Sequence, residues 1–297
     1  IAETAGKPIF KEVDAGIDFQ HQENKFTDFQ RESLLPRMLS TEGPRIAVGD
    51  INGDRREDQF ICGAKAHTGG LYFQQRNGSF IAGDGSAFEK TKIAEDVDAA
   101  FVDVDGDGDK DLYVVSGGNE YSRTAPALQD RLNLNNGRGK FIETKDALPK
   151  LRLSGSCIAP ADIDGDGDID LYVGSRSMPW QYGIAPPSQL LINNGRGTFT
   201  NQIADLAPDL ERAGMITDAD WLDYDSDGDM DLIIVGDWMP VSVFQNNAGK
   251  LGNVTESVIP DSPTGWWTRL KIAEIDGQTA LIAGNFGYNF KLQASKV

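Results

Sequence analysis

Histidine and cysteine are nearly missing from this chain, with two of each among 297 residues. His21 and His67 give histidine-based proton transfer little to work with, and both are expected to be surface or locally hydrogen-bonded residues. Cys62 and Cys157 each sit inside an apolar stretch, which predicts two buried small side chains rather than a disulfide framework and leaves the redox compartment open. No apolar run approaches roughly 18 residues, so no membrane-spanning helix is expected. No signal peptide precedes Ile1, and a secreted or lipid-anchored protein is therefore expected to be met here after processing. Positive charge is also short. Against 46 Asp and Glu stand 28 Lys and Arg, a formal net charge of −18, which argues against nucleic acid, because phosphate binding needs a basic face. A nucleophile elbow, a His-Glu-x-x-His pair, a P-loop and a dinucleotide fingerprint are all missing, so a non-enzyme is expected. Glu95, Asp96 and Asp98 are the default candidates for a glycosidase-type acid pair, and a solvated turn is the expectation for them.

What is present is glycine, 33 of them, and acid bunched into short runs. Bunched carboxylates repel unless a cation sits among them. Four runs align without gaps: Asp50-Ile-Asn-Gly-Asp-Arg-Arg-Glu-Asp58, Asp103-Val-Asp-Gly-Asp-Gly-Asp-Lys-Asp111, Asp162-Ile-Asp-Gly-Asp-Gly-Asp-Ile-Asp170 and Asp223-Tyr-Asp-Ser-Asp-Gly-Asp-Met-Asp231. Their starts lie 53, 59 and 61 residues apart, and a worn copy follows at Glu274-Ile-Asp-Gly-Gln278. A short apolar run precedes each loop, a β-rich run such as Leu112-Tyr-Val-Val115 follows it, and a strand–turn–strand signal around Asn and Gly comes later in each unit. Each unit reads as four strands, A to D, with the acidic loop between A and B. A sheet of that size cannot cover both of its faces alone, and tandem copies must cover one another. The expected fold is all-β: a β-propeller of four-stranded blades starting near residues 46, 99, 158, 219 and 270. Residues 1–42 form an N-terminal strand and a docked non-repeat segment, and 43–297 form the repeats. The chain is either part of a larger propeller, for instance a seven-bladed one, or a closed five-bladed ring in which Pro8-Ile-Phe-Lys-Glu-Val13 supplies the last strand.

The loops suit calcium, which takes six to eight hard oxygens in irregular geometry. Positions 1, 3 and 5 would each give a side-chain oxygen: Asp50, Asn52 and Asp54; Asp103, Asp105 and Asp107; Asp162, Asp164 and Asp166; Asp223, Asp225 and Asp227. Position 9 would give both carboxylate oxygens, from Asp58, Asp111, Asp170 and Asp231. Position 7 is Asp109, Asp168 and Asp229 in three loops but Arg56 in the first, which fits only if it contributes its backbone carbonyl. Glycine at positions 4 and 6 lets the backbone wrap the ion. An EF-hand is excluded, because its twelfth position needs a glutamate where Ile61, Val114, Val173 and Ile234 stand. About four Ca²⁺ sites are expected.

The Asp-x-Asp-x-Asp-Gly-x-x-Asp pattern resembles the FG-GAP/VCBS repeat family and the calcium hairpins of the integrin α-subunit propeller. Gly16-Ile-Asp-Phe-Gln-His21, Leu35-Pro36 and Gly284-Asn-Phe-Gly-Tyr-Asn289 are similar to segments of long Bacteroidota surface proteins that join VCBS repeats to an ASPIC/UnbV-type module. The resemblance implies an extracellular or outer-membrane-associated binding or assembly module. Its partner would be a surface protein, a glycan, the remaining blades of a longer chain, or a membrane-complex subunit. The alternative is a glycan-binding or glycan-processing component of a surface polysaccharide-utilisation system, for which Trp180, Trp238, Trp266 and Trp267 could offer ring faces. Packing between blades or lining the central channel is the plainer expectation for these rings.

Overall fold

The computed structural model describes residues 10–287. Each repeat folds as an antiparallel meander. The first sheet holds β1 (Ile46–Gly49), β2 (Asp58–Ile61), β3 (Gly70–Gln74) and β4 (Phe80–Ala82). The second holds β5 (Asp96–Val102), β6 (Asp111–Ser116), β7 (Arg131–Leu134) and β8 (Ile142–Glu143). The third holds β9 (Ser154–Ala161), β10 (Asp170–Ser177), β11 (Gln189–Asn193) and β12 (Phe199–Asn201). The fourth begins with β13 (Met215–Leu222), β14 (Asp231–Met239), β15 (Ser242–Asn247) and β16 (Lys250–Asn253).

Alternation along the second strand of each sheet explains the stacking, since successive side chains leave opposite faces. Leu112 and Val114 join Phe60 and Leu71 of the first sheet and Phe88 of the connection after it, while Tyr113 and Val115 join Leu171, Val173 and Leu191 from the third. Tyr172 turns the other way, toward Leu232, Ile234 and Phe244 of the fourth. A strand buried on both faces reads as a continuous apolar run, which is why β6 and β10 are buried throughout. Each fully buried Leu or Ile contributes roughly 1.5–3 kcal/mol. The first strands β1, β5, β9, β13 and the next one lie against each other in succession. The result is an arc of blade-like sheets.

The worn fifth copy does not begin a separate sheet. Its β17 (Gly265–Ile275) and β18 (Gln278–Asn285) form a hairpin over a two-residue turn, with Asp276 at φ 51° and Gly277 at φ 74°. The hairpin joins the fourth sheet where Asp237 pairs with Trp266 and Met239 with Gly265, making six strands. The strand expected at 8–13 does not form within the described residues: Pro8 and Ile9 lie outside them, and Phe10–Val13 is irregular and exposed. Of the 284–289 segment, Tyr288 and Asn289 also lie outside.

Candidate metal centre

The meander sends all A–B loops and C–D turns to one end of the sheets, and the B–C connections to the other. At the first end the four acidic loops share one hydrogen-bond scheme. The position-1 carboxylate gathers backbone N–H groups inside the loop: Gly53 and Arg55 donate to Asp50, Gly106 and Gly108 to Asp103, Gly165 and Gly167 to Asp162, Asp227 and Gly228 to Asp223. The position-3 oxygen accepts from the position-5 N–H: Asn52 from Asp54, Asp105 from Asp107, Asp164 from Asp166, Asp225 from Asp227. Position 5 in turn accepts from position 7, so Asp54, Asp107, Asp166 and Asp227 hold the N–H groups of Arg56, Asp109, Asp168 and Asp229. The tight wrap needs left-handed backbone at positions 4 and 6. Glycine supplies it at most of them, and Arg55 (φ 65°) and Ser226 (φ 63°) adopt it without being glycine.

Position 9 is the buried anchor. Asp58, Asp111, Asp170 and Asp231 open their second strands at 0–1% exposure. One oxygen of each accepts the position-2 N–H of its own loop (Ile51, Val104, Ile163, Tyr224), and the other accepts the N–H of the residue at the C–D turn (Gln74, Asn135, Asn193, Asn246). Burial pushes Asp111 and Asp170 up to about 6, and Asp58 and Asp231 upward as well, so a nearby cation would favour their charged form.

In three loops one oxygen from each of positions 1, 3 and 9 lies within 4.8 Å of the others: Asp103, Asp105 and Asp111; Asp162, Asp164 and Asp170; Asp223, Asp225 and Asp231. The position-5 carboxylates stand outside these clusters. Position-7 side chains turn toward the C–D turn of their own sheet: Asp109 and Asp168 lie against Gly137 and Gly195, and Asp229 accepts from Ala248 N–H at 2.9 Å. The first loop differs. Arg56 pairs its guanidinium with Asp54 and donates through Nε to Gln74 O at 2.9 Å. The donor sets are all hard oxygen, which suits calcium or magnesium and not a thiolate- or imidazole-seeking metal.

Sequence reasoning missed one repeated contact. The Nδ2 amides of Asn135, Asn193 and Asn246 each donate at 2.8 Å to the position-2 carbonyl of the preceding loop, on Ile51, Val104 and Ile163. The doubled Asn-Asn at the C–D turns of the second, third and fourth sheets was its only trace in the sequence.

Away from the loops, Glu95, Asp96 and Asp98 are not in a solvated turn. They are buried at the start of β5, where Asp96 pairs with Arg131, Asp98 lies 3.3 Å from Arg45, and Glu95 accepts from Lys65 N–H at 2.8 Å. His21 bonds Glu23 at 2.7 Å and His67 is exposed. Cys62 and Cys157 are buried free thiols, and burial pushes both up, Cys157 to about 12. At the B–C end Trp266 is buried and Trp267 half-buried, whereas Trp180 and Trp238 are 47% and 56% exposed. The docked N-terminal segment crosses this end. Asp28 is fully buried and accepts from the N–H groups of Leu39 and Ser40, and Glu32 holds Asn119 Nδ2 and Tyr182 N–H.

Two overlapping stretches, residues 50–114 and 103–173, match the FG-GAP-like repeat. No curated protein matches the chain. Among solved structures, one match is an Agrocybe aegerita lectin described by its specific recognition of non-reducing terminal N-acetylglucosamine. It is 20% identical, aligned over 69% of this chain and 49% of the lectin, with a TM-score of 0.43. This chain thus spans about half the length of that lectin.

Proposed function

We infer, for a chain that carries FG-GAP-like repeats over residues 50–173, that its sheets are propeller blades whose A–B loops bind calcium, and that it serves as a non-catalytic binding or assembly module at the cell surface. The observation that carries this reading is the one scheme of hydrogen bonds shared by four loops, three of which hold carboxylate oxygens within 4.8 Å of one another. Such clusters repel without a cation, so bound calcium stabilises the folded chain by linkage. Millimolar calcium outside cells fills even weak sites, which supports an external location. Propeller geometry is supported by neighbouring sheets that cover each other's faces and by their inner strands touching in succession.

Thermal melting with calcium and with a chelator tests the reading. Calcium at about 100 times its Kd is expected to add roughly 2.7 kcal/mol per site, and so to raise Tm by several degrees or more. Superimposable melting curves in calcium and chelator would sink it. A second reading, a glycan-binding or glycan-processing surface component, draws on the exposed rings of Trp180 and Trp238.

A further inference from the structure

The end of the molecule opposite the acidic loops interleaves acids with bases. There the chain brings together four arginines that are far apart in sequence: Arg37 from the docked segment, Arg45 just before β1, Arg176 at the end of β10 and Arg269 in β17. Two of them are already engaged. Arg45 lies 3.3 Å from Asp98 and 3.2 Å from Asp218, and Arg176 places its fork on Asp237 at 3.0–3.3 Å. Arg37 and Arg269 are less committed. Arg37 has Glu42 at 3.4 Å and Asp237 at 3.8 Å, and its buried Nε has no hydrogen-bond partner. Arg269 is exposed, donates to Thr268 O at 3.0 Å, and has no carboxylate within 4.0 Å among the described residues.

Three of the four, Arg37, Arg176 and Arg269, open onto a pocket of about 480 Å³ lined also by Glu42, Thr268 and Phe286, among others. That size is ordinary for small-molecule sites, roughly 300–1,000 Å³. Its lining sets three guanidinium groups against one carboxylate. Burial pushes Glu42 up to about 7, so near neutrality that carboxylate only partly offsets the arginines. Beside the pocket runs an aromatic row. Trp238 stacks on Trp266 at 4.9 Å, and Trp266 meets Phe286 at 5.2 Å, with Arg37 over both inner rings. Trp238 is more than half exposed and sits at φ 61°, a backbone state bulky residues rarely adopt. Its Nε1 is fixed by Tyr182 Oη at 3.0 Å, which holds the ring in place.

We propose that this pocket binds the carboxylate of an acidic sugar residue, with Arg37 and Arg269 taking the carboxylate and the Trp238 row taking the ring face. Guanidinium forks match a planar carboxylate in two parallel bonds. With Asp237 just behind the lining, the surplus charge suits a monoanion better than a doubly charged phosphate. The flat exposed indole favours a sugar ring over an extended peptide end. The inference rests on the binding-module reading and assigns that module a ligand class and a face.

Calorimetric titration of the whole chain in calcium tests it, using oligogalacturonate and oligoglucuronate, their neutral counterparts, and a short peptide with a free C-terminus. One oligouronate is expected to bind, with a change in tryptophan fluorescence and weakening as salt rises. Arg269→Gln and Arg37→Gln are each expected to weaken binding about tenfold or more. Arg138→Gln, which removes an exposed positive charge at the opposite end, is expected to leave it unchanged. Arg269 is exposed, so its variant is expected to melt like the parent. Binding by neither oligouronate, equal binding of a neutral sugar, tighter binding of the peptide, or an Arg269→Gln chain that binds as the parent does would each overturn the proposal. A calcium-dependent Tm retained alongside such a result would show that the pocket had failed and the metal reading had not.

Discussion

In the first loop the Arg56 guanidinium reaches Asp54 while its Nε holds the carbonyl of Gln74. The same nine-residue stretch carries two arginines against four acids, whereas the third and fourth loops carry five acids and no base. A cation entering the first loop therefore meets less negative charge and must displace a resident one. The pair is partly exposed and screened, so the handicap is modest. Arg56→Ala is expected to strengthen the weakest calcium step by roughly 3- to 10-fold and to leave the other steps alone. Calcium titrations of parent and variant would show this, and coincident curves would dismiss the guanidinium as a competitor. Asp-x-Asp-x-Asp-Gly spacing was legible because every donor of a loop lies within nine residues of the others. The direction of Arg56 was not legible, since its second partner, Gln74, belongs to the turn two strands away.

Among the elements, the C–D turns tie the sheets together at the end that carries the acidic loops. Asn193 shows how. Its backbone N–H serves Asp170 of its own loop, and its Nδ2 serves Val104 O of the previous loop and Ile169 O of its own sheet. Asn193→Ala would leave the buried Val104 carbonyl short of a donor, at a cost of roughly 1–3 kcal/mol. The expected result is a Tm lowered by about 2–6 °C in calcium. An unchanged melting curve would mean that water or a neighbour replaces the amide without loss. Strand order followed from the repeat and was readable; the face of each side chain in β6 and β10 was not, because those strands are buried on both faces. The fifth hairpin was harder to place because its worn loop keeps only Glu274 and Asp276 of the acids; a simple Asp-Gly turn closes it, and the start of β17 pairs with β14. The arginine pocket had no local signature at all. Its members lie up to 232 positions apart, from Arg37 to Arg269, and only the curvature of the arc brings them together.

At the scale of the molecule, burial raises several acids away from the loops. Glu95 is held up to about 8, Asp98 and Asp130 up to about 6. In the unfolded chain these groups ionise near their ordinary values, 4.5 for Glu and 3.8 for Asp. Between those values and the raised ones the folded chain holds protons that the unfolded chain has released. Stability contributed by these groups is therefore full below about pH 4 and falls as pH rises toward 8. Glu95 sits among Glu23, Asp96 and Lys65, and its Oε1 has no hydrogen-bond partner. Glu95→Gln keeps its shape and an acceptor for the Lys65 amide. It is expected to raise Tm at pH 8 by a few degrees over the parent, with little effect at pH 4; a variant that melts lower at pH 8 would reverse the assignment.

The asparagine amides also give the arc a direction. The second, third and fourth sheets each reach back to the loop before them, so these three junctions have a hook on one side and an eye on the other. At the first sheet the hook position is Gln74, and at the fourth loop the eye position is the Tyr224 carbonyl. Units joined in this way can be appended in one order only, and a blade inserted the wrong way round would present two eyes or two hooks. The chain thereby carries, in one amide per turn, a rule for how any neighbouring repeat must seat against it.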